Sequence, residues 1–286
     1  MARVKKTKKL GRSLAGNILI YGVLVLFGLF MLMPMIYAIN SAFKPLDELF
    51  VFPPKFFVQN PTLDNFADLN TIMSQSWVPF SRYLFNTVFI TAVGTAGCVV
   101  ITSMAAFVLA KFKFPGSKII FRIVTTALMF SGYVTQIPNY LIMAKLGWID
   151  TYLAMIVPAF GMPLGLFLTK QYMENIPDAL IEAARLDGAN LWKVFWKIIM
   201  PNTRPAWLTV TILSVQALWN SKAIQYIHSE DLKTLPYALQ QILGGGVSRT
   251  GVGSAVTVIM MIVPIVTFIM SQRSITETMA SSGIKE

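Results

Sequence analysis

Charged residues are scarce in this sequence: they make up 13% of its 286 residues, whereas apolar residues make up 55%. Because about a quarter of the residues in a soluble globular domain are charged, the composition excludes such a domain. Six runs contain no Asp, Glu, Lys or Arg, namely residues 13–43, 83–110, 123–144, 151–169, 205–221 and 251–272. The shortest run has 17 residues, and a helix needs about 17–25 mostly apolar residues to cross a bilayer. The runs therefore predict an all-α polytopic membrane protein with six transmembrane helices.

The six runs lack histidine as well, so none of them contains a side chain that is ordinarily charged near neutral pH. Proton- and ion-driven transporters usually place such side chains near the bilayer midplane, where the coupling ion binds. Their absence disfavours an ion-coupled secondary transporter that acts without an ATPase, which we keep as the alternative interpretation. The neutral polar side chains in the runs suit a neutral, hydroxyl-rich solute, or serve only to hold helices together through hydrogen bonds.

Sequence patterns for catalysis and metal binding are also missing. The chain has one cysteine, Cys98, so no disulfide forms within it, and we expect this side chain to serve in packing. No G-x-x-x-x-G-K-[ST] sequence occurs, and the glycine cluster at Gly244, Gly245 and Gly246 lacks the Lys-Ser/Thr pair, so the chain is not its own ATPase. His228 has no metal-ligand pattern around it. Without a nucleophile, base or metal cluster for a membrane enzyme, we expect a non-catalytic chain that binds no cofactor or metal itself.

The distribution of basic residues indicates the orientation of the chain. The formal net charge is +11, from 24 Lys and Arg against 13 Asp and Glu. An N-in, C-in arrangement of six spans puts 17 of the 24 basic residues in the cytoplasm and leaves seven outside: Lys44, Lys55, Arg82, Lys145, Lys222, Lys233 and Arg249. The positive-inside rule predicts this asymmetry. We therefore interpret the excess of basic residues as a signal of membrane topology. We expect no nucleic-acid partner, since no folded domain remains to carry a basic nucleic-acid surface.

The six runs divide the chain into segments. They are a basic cytoplasmic tail (1–12), a first transmembrane helix (13–43), an extracellular loop with turns (44–82), a core of five helices (81–272) and a cytoplasmic tail (273–286). The first apolar run is far longer than the ~7–15 residues of a signal-peptide core, so we expect an uncleaved span. Within the core, the segment 175–205 between spans four and five is too polar to span and is expected in the cytoplasm.

The 175–205 segment has the pattern of a helix, a turn and an amphipathic helix. Pro177 suits a first helical turn, and residues 179–186 are good helix formers. Asp187-Gly188 is a strong turn signal, after which Asn190 is expected to cap a second helix. Four apolar residues of that helix are expected to share one face: Leu191, Phe195, Ile198 and Ile199. This pattern alone fits an amphipathic helix at the lipid surface, a loop packed under its own bundle, or a docking element.

Nine residues of this segment stand at distinctive spacings: Glu182, Ala183, Ala184, Asp187, Gly188, Ala189, Phe195, Ile198 and Pro201. This pattern closely resembles the EAA loop in the membrane subunits of binding-protein-dependent ABC importers, and it occurs at the corresponding topological position. Farther along, three stretches resemble the carbohydrate-uptake branch of these importers: Trp219-Asn220, Thr234-Leu235-Pro236 and Gln272-Arg273. The resemblance covers the chain from about Ser13 onward. The chain departs from the branch at Ser221, where an acidic residue is often found, and in its last four residues.

The resemblance implies a permease subunit with the type I importer fold, in the cytoplasmic membrane of a prokaryotic cell. It implies that the chain works with a second homologous permease subunit, two cytoplasmic ABC ATPase subunits that hold ATP and Mg, and an extracellular solute-binding protein that delivers a carbohydrate. It also implies that the EAA loop is a coupling helix seated in a groove of the ATPase. There Glu182 supplies a carboxylate at the contact, Ala183 and Ala184 allow close approach, and Phe195 and Ile198 anchor the loop to its own bundle.

Four polar or aromatic residues within the spans are candidates for lining a solute path: Gln136, Asn139, Trp219 and Asn220. An aromatic face suits stacking against a sugar ring. For Trp219 the alternative is a residue of the interfacial aromatic belt, where tryptophan is enriched in membrane proteins.

Overall fold

The computed structural model describes residues 14–74, 78–222 and 224–283, and within these ranges the chain is helical with no β-strand. The predicted tail 1–12 and residues 284–286 lie outside the described residues. In chain order, the α-helices of the described part are α1 (Leu14–Ala42), α2 (Leu46–Leu49), α3 (Asp64–Ser74), α4 (Phe80–Lys111), α5 (Ser117–Ala127), α6 (Gly132–Lys145), α7 (Leu153–Ala159), α8 (Pro163–Glu174), α9 (Asp178–Leu186), α10 (Leu191–Val194), α11 (Met200–Asn202), α12 (Arg204–Trp219), α13 (Leu235–Gly244) and α14 (Thr250–Gly283).

Four helical stretches are long and apolar enough to cross a membrane: Gly16–Ala42, Phe80–Lys111, Leu153–Glu174 and Thr250–Gln272. The third of these comprises α7 and α8 together. A fifth candidate is the pair α5 and α6, whose axes differ by 114°. Helix α12 has 16 residues, so it rises about 24 Å and is shorter than the ~30 Å hydrocarbon core. The structure thus shows an all-helical membrane protein with four or five apolar candidate spans.

The run 123–144, expected to form the third span, is divided between α5 and α6. The chain leaves α5 after Ala127 and begins α6 at Gly132. Between them Ser131 has an extended backbone, and its hydroxyl accepts a hydrogen bond from the backbone N–H of Tyr133 at 3.4 Å. A serine in this conformation is a good N-cap, so it starts a new helix instead of continuing the old one. The run is therefore a bent pair of helices, a feature that its lack of charge did not indicate.

Helix α4 is the centre of the bundle and packs against α7, α8 and α12. Small residues allow the close approach: a Cβ atom at Gly94 would lie 2.6 Å from Cδ1 of Leu218, and one at Gly97 would overlap the ring of Phe160. Cys98 is fully buried in the same helix. Close contacts between small residues are how helices associate in a bilayer, where water does not drive their association.

The segments outside the apolar spans contain short helices. The predicted extracellular loop 44–82 contains α2 and α3, and the segment after α12 contains α13. Asn86 at one end of α4 is fully buried and holds this second segment: its Nδ2 donates to the carbonyl oxygens of Asp231 and Lys233 at 2.8 and 2.9 Å. Its Oδ1 accepts a hydrogen bond from the Tyr152 hydroxyl at 2.6 Å. Helix α14 continues to Gly283, so most of the predicted tail 273–286 extends the last helix.

Candidate coupling segment and solute cavity

The 175–205 segment is tied to the end of α4 by Lys111. Its side chain is 5% exposed, and its Nζ lies 2.8 Å from Oδ1 of Asp178, in the first turn of α9. The same ammonium donates to the backbone carbonyl of Ile176. Pro177 directly precedes the first residue of α9, one position earlier than expected. One lysine therefore fixes the position of α9 relative to α4.

The turn after α9 is a Schellman motif that ends at the expected glycine. Gly188 has φ +78°, its N–H donates to the carbonyl of Arg185 at 3.0 Å, and the N–H of Ala189 donates to that of Ala184 at 2.9 Å. Such a pair of hydrogen bonds satisfies the last carbonyls of a helix and requires a left-handed residue, usually glycine. A Cβ atom at Gly188 would meet no other atom within 4 Å. The glycine is therefore required by its backbone conformation and not by lack of space.

The second half of the segment begins at the predicted cap and then departs from the predicted helix. The side chain of Asn190 accepts a hydrogen bond from the N–H of Lys193 at 2.8 Å, which confirms the cap. After α10, however, residues Phe195–Ile199 form a π-helical turn. A π-turn shifts the phase of the side chains that follow. Phe195 and Ile199 are buried together with Val194, whereas Leu191, which precedes the π-turn, is 43% exposed and lies off the predicted apolar face.

One face of the segment packs under the bundle. Ile181, Ala184, Phe195 and Ile199 form a core cluster with residues of α4 and α8, and Ala189 and Ile198 pack at its edge. The rings of Phe195 and Phe107 of α4 have centroids 5.7 Å apart. The resemblance implied that Ala184 allows a partner to approach closely, but the Ala184 side chain packs on its own bundle.

The opposite face is exposed. Glu182, Ala183 and Asp187 are exposed polar or small residues on this face. They are accompanied by Leu186, which is 89% exposed, and by Trp192, which is 58% exposed. Large apolar side chains around a carboxylate, on the side away from the bundle, are typical of a protein-binding surface. Leu186 and Trp192 were not predicted as site residues, although both lie between residues of the nine-residue EAA-like pattern.

A cavity of about 710 Å³ lies between α4, α12 and α14. Trp196, Met200 and Pro201 of the 175–205 segment form part of its wall. Trp219 lines it as well, is 2% exposed, and donates from Nε1 to the carbonyl of Met260 in α14 at 2.9 Å. Trp219 therefore packs between two helices of the bundle, and not on the lipid-facing surface that an interfacial belt residue occupies.

Two threonines of α4 also line the cavity. Thr91 and Thr95 are 6% and 7% exposed, and their hydroxyl groups have no hydrogen-bond partner among the described residues. Buried polar atoms without a partner are uncommon, because each costs free energy comparable to a lost hydrogen bond. Their spacing of four places them on one face of α4. In the sequence these are two threonines four residues apart in a charge-free run. That spacing does not show whether they line a cavity or pack against a neighbouring helix.

The other predicted path residues are not brought together with Trp219. Gln136 and Asn139 are half-buried on α6, and neither lines the cavity. The 114° bend between α5 and α6 gives α6 a direction of its own. Asn220 is exposed at the end of α12, where its Nδ2 donates to the carbonyl of Gln216 at 2.8 Å. Of the four, only Trp219 is a cavity residue.

Comparison with known proteins decides the family. Residues 99–278 match the family of binding-protein-dependent transport system inner membrane components. The chain belongs to this family. It is therefore a permease, a non-catalytic membrane subunit of a transport system. Family membership disfavours the ion-coupled transporter that acts alone. In residues 14–74, 78–222 and 224–283, no group of three or more His, Cys, Asp and Glu side chains is arranged to hold a metal ion.

Relatives of the permease span most of its length. It is 30% identical to the polygalacturonan/rhamnogalacturonan transport system permease of Bacillus subtilis (strain 168), over 83% of this chain and 84% of the relative. It is 31% identical to the arabinooligosaccharides transport system permease of Halalkalibacterium halodurans, over 88% and 90% of the two chains. Among solved structures, a chain of a bacterial ABC transporter that imports the acidic polysaccharide alginate superposes with a TM-score of 0.78 at 23% identity, covering 93% of this chain and 99% of that one. This likeness shows the shared fold.

Proposed function

We propose that this permease is part of an ATP-driven importer that moves a sugar or oligosaccharide across the prokaryotic cytoplasmic membrane. The names of the relatives support the solute class, since they include transport systems for arabinooligosaccharides and for trehalose. The cavity supports it as well. Its wall includes the aromatic residues Trp207 and Trp219, together with Thr91 and Thr95, whose buried hydroxyl groups have no partner among the described residues. Aromatic faces and neutral hydrogen-bonding groups suit a polyhydroxylated solute.

We propose that the permease works with a second homologous permease, two ABC ATPase subunits that hold ATP and Mg, and an extracellular solute-binding protein. Support comes from the crystal structure of a bacterial alginate ABC transporter in complex with an alginate pentasaccharide-bound periplasmic protein, which contains a chain that superposes on this one with a TM-score of 0.61 at 16% identity. The position of the cavity also supports a second permease. Its wall includes α4, α12 and α14 of this chain, so a second subunit is expected to complete the path.

The topology that fits this function has six spans with both termini in the cytoplasm. The six would be α1, α4, the bent pair of α5 and α6, α7 with α8, α12, and α14. The bilayer accommodates the short α12 if the membrane thins locally or its ends are covered by neighbouring helices. The excess of basic residues on one side supports the orientation. With this topology the 175–205 segment lies in the cytoplasm and residues 44–82 lie outside.

The observation that carries the proposal is the two-sided structure of the 175–205 segment. One face packs on α4 and α8, and the other exposes Glu182, Leu186 and Trp192. We propose that the exposed face binds the ATPase. A displacement of α9 would then pass through Lys111, which donates to the Ile176 carbonyl just before α9, to α4, which carries Thr91 and Thr95 in the cavity wall.

This arrangement permits coupling between ATP and transport. If the ATPase dimer closes on ATP, the docked segments move together and shift the helices between inward- and outward-facing states. A loaded binding protein on the outer side would favour the outward-facing state. Because coupling of binding free energies is reciprocal, the nucleotide state would in turn change the affinity for the binding protein.

The proposal is tested by charge reversal on the exposed face. We expect Glu182→Lys to abolish copurification of the ATPase and solute uptake, because the substitution puts the opposite charge at the contact. A matched control is Asp68→Lys, which reverses an exposed carboxylate on α3 and should preserve both. Membrane insertion is followed by the amount of each variant in the membrane fraction. Normal ATPase copurification with Glu182→Lys would contradict the coupling assignment.

A further inference from the structure

The segment after α2 runs back along the outer turns of α1. The N–H of Thr62 donates to the carbonyl of Phe43 at 2.9 Å. Farther back in the segment, the N–H of Val58 donates to Oδ1 of Asn40 at 3.1 Å. Farther back still, the ring of Phe56 packs on the ring of Tyr37, with centroids 5.9 Å apart. We call residues 50–57, at the far end of this path, the aromatic loop.

The three contacts are regularly spaced, at Phe43, which directly follows α1, and at Asn40 and Tyr37 within it. Since an α-helix rises 1.5 Å per residue, Phe56 lies about 9 Å closer to the middle of α1 than Thr62 does. Residues three apart also lie on the same side of a helix. The segment therefore descends along one side of α1 instead of projecting away from it.

The depth of the aromatic loop follows from the length of α1. Its apolar part, Gly16–Ala42, has 27 residues and is centred on Leu29. Tyr37 is eight residues from this centre, which corresponds to about 12 Å along the helix axis. The hydrocarbon core extends ~15 Å from the midplane. A ring packed on Tyr37 therefore lies at the boundary between the acyl chains and the headgroups.

The aromatic loop presents its rings outward at this depth. Phe52 is 92% exposed and Phe57 is 68% exposed. The ring of Phe57 packs edge-on against Phe56, with centroids 5.1 Å apart. Next to them Lys55 is exposed and donates to Oε1 of Gln59 at 2.7 Å. Exposed aromatic rings beside a basic side chain match the composition of protein surfaces that lie in the membrane interface.

Buried charged groups hold the backbone of the loop in place. Glu48 is 7% exposed, and its carboxylate accepts hydrogen bonds from the N–H groups of Gln59 at 2.7 Å and Asn60 at 3.3 Å. Lys44 is 2% exposed, and its ammonium donates to the carbonyl of Lys55. These contacts fix both ends of the stretch that carries Phe56 and Phe57. The rings are thus presented by an ordered backbone.

We propose that the aromatic loop inserts Phe56 and Phe57 into the lipid interface at the C-terminal end of α1 and so fixes the depth of that helix. The occupant of this surface is lipid because α1 is apolar and exposed where the aromatic loop meets it. There Ile36, Tyr37 and Ile39 are 38%, 43% and 43% exposed. The inference depends on α1 crossing the membrane but not on the identity of the solute or on the ATPase.

Site-directed spin labelling tests the depth directly. The background is the full chain with Cys98→Ala, reconstituted in nanodiscs of phosphatidylethanolamine and phosphatidylglycerol. Phe57→Cys and Leu63→Cys form a matched pair, because the native side chains are 68% and 66% exposed. They differ in depth, since Leu63 follows Thr62 at the end of the segment that lies farther from the middle of α1. We expect the label at position 57 to collide severalfold more with oxygen than with a water-soluble nickel chelate, and the label at 63 to show the reverse. The two depths should differ by about 9 Å.

Either of two spin-label results would overturn the proposal. Equal access of the nickel chelate at both positions would place the loop in water. Low access of both reagents at position 57, with an immobilised spectrum, would place it against another protein subunit. A second pair, Phe57→Trp and Leu63→Trp, keeps an aromatic ring in the loop. Relative to the parent chain, the added emission at 57 should be quenched by lipids brominated near the carbonyl groups, and the emission at 63 should not; absence of this difference also overturns the proposal.

Discussion

Gly188 shows how a single backbone conformation can decide the shape of a functional segment. Its φ of +78° closes the Schellman turn between α9 and α10, and that turn sets the angle between the two halves of the 175–205 segment. Residues with a Cβ atom pay about 1–2 kcal/mol to adopt this region, and asparagine pays least. The residue is constrained only through its backbone, because open space surrounds the position of its absent side chain.

We therefore expect Gly188→Val to reduce uptake and ATPase copurification strongly, and Gly188→Asn to reduce both only slightly. Valine is β-branched and is poorly tolerated at positive φ, whereas asparagine adopts it with little strain. Gly116→Val is the matched control, since Gly116 has φ +92° with open space around it but lies outside the 175–205 segment. Equal loss in both valine variants would indicate general strain and not a role in coupling.

Asp150 is a second residue whose backbone and side chain act together. It has φ +61°, and its carboxylate accepts hydrogen bonds from the N–H groups of His228 at 2.9 Å and Ser229 at 2.8 Å, and from the Ser229 hydroxyl. The hydrogen bond from the Ser229 hydroxyl, followed by that from its N–H, holds the pKa of Asp150 below its usual value. Hydrogen bonds that stabilise the charged form lower the pKa of an acid in this way.

A lowered pKa in the folded state makes this contact sensitive to acid. Its stabilising contribution is complete above the unfolded-state pKa of about 3.9 and is lost as the pH falls through the lower folded-state pKa. We expect Asp150→Asn, which tolerates positive φ, to lower the melting temperature of the purified permease at pH 7. The difference from the parent should shrink toward pH 3. A constant difference across this range would show that the charge of Asp150 is not the cause.

At the scale of elements, α4 connects the two functional regions. Thr95 in the cavity wall and Lys111 at the contact with α9 are 16 residues apart in one helix, which corresponds to about 24 Å. The ends of such a helix move together, because its backbone hydrogen bonds and packed neighbours resist bending. The contact at Lys111 is thus the point where motion of the 175–205 segment would reach the cavity.

We expect Lys111→Met to reduce uptake while the ATPase still copurifies, since the exposed face of α9 keeps its side chains. The substitution leaves the carbonyl of Ile176 without its partner, at a cost of about 1–3 kcal/mol. The ion pair itself contributes less, because Asp178 is 73% exposed, and such pairs are worth about 0–1 kcal/mol. Asp178→Asn is the matched control and should have little effect. Loss of ATPase copurification in Lys111→Met would contradict the prediction that Lys111 transmits motion but does not contribute to ATPase binding.

The two threonines of the cavity wall give a further prediction for α4. If the hydroxyl groups of Thr91 and Thr95, which are buried without a partner in the single chain, turn toward the solute when it binds, replacing either residue by the isosteric valine should raise the KM for uptake. A neutral hydrogen bond is worth about 0.5–1.5 kcal/mol, or roughly a two- to tenfold change. Thr102→Val is the matched control, as Thr102 is a buried threonine of the same helix that does not line the cavity. An unchanged KM in both cavity variants would assign these hydroxyls to packing alone.

At the scale of the whole molecule, the permease has the form of one part of a larger assembly. Three apolar regions are exposed in the single chain. They are the open side of the cavity, one face of the 175–205 segment and much of α1. Large exposed apolar surfaces on a protein mark contacts with lipid or with other proteins. The proposed second permease, ATPase subunits and lipid interface account for these three surfaces respectively. We therefore expect transport activity only in the assembled complex.

Much of the local structure could be predicted from the residues themselves. Asp187-Gly188 and Asn190 specify a turn and a cap through their own backbone and side-chain preferences, and both were found where expected. The bend at Ser131 was missed because the apolar run continues through it, and a hydropathy pattern does not register one capping hydroxyl. The π-turn at Phe195–Ile199 was missed because it changes the helical phase without changing the composition.

The sequence by itself determined that this is a helical membrane protein, where its charges lie, and that the 175–205 segment resembles an EAA loop. These properties depend on composition and on contacts between near neighbours in the chain. Only the tertiary structure decided that Ala184 packs inward while Leu186 faces outward, and that Trp219 shares a cavity with Thr91 and Thr95 but not with Gln136. Such arrangements depend on how helices far apart in sequence pack together, because burial is a property of the whole bundle and not of any one helix.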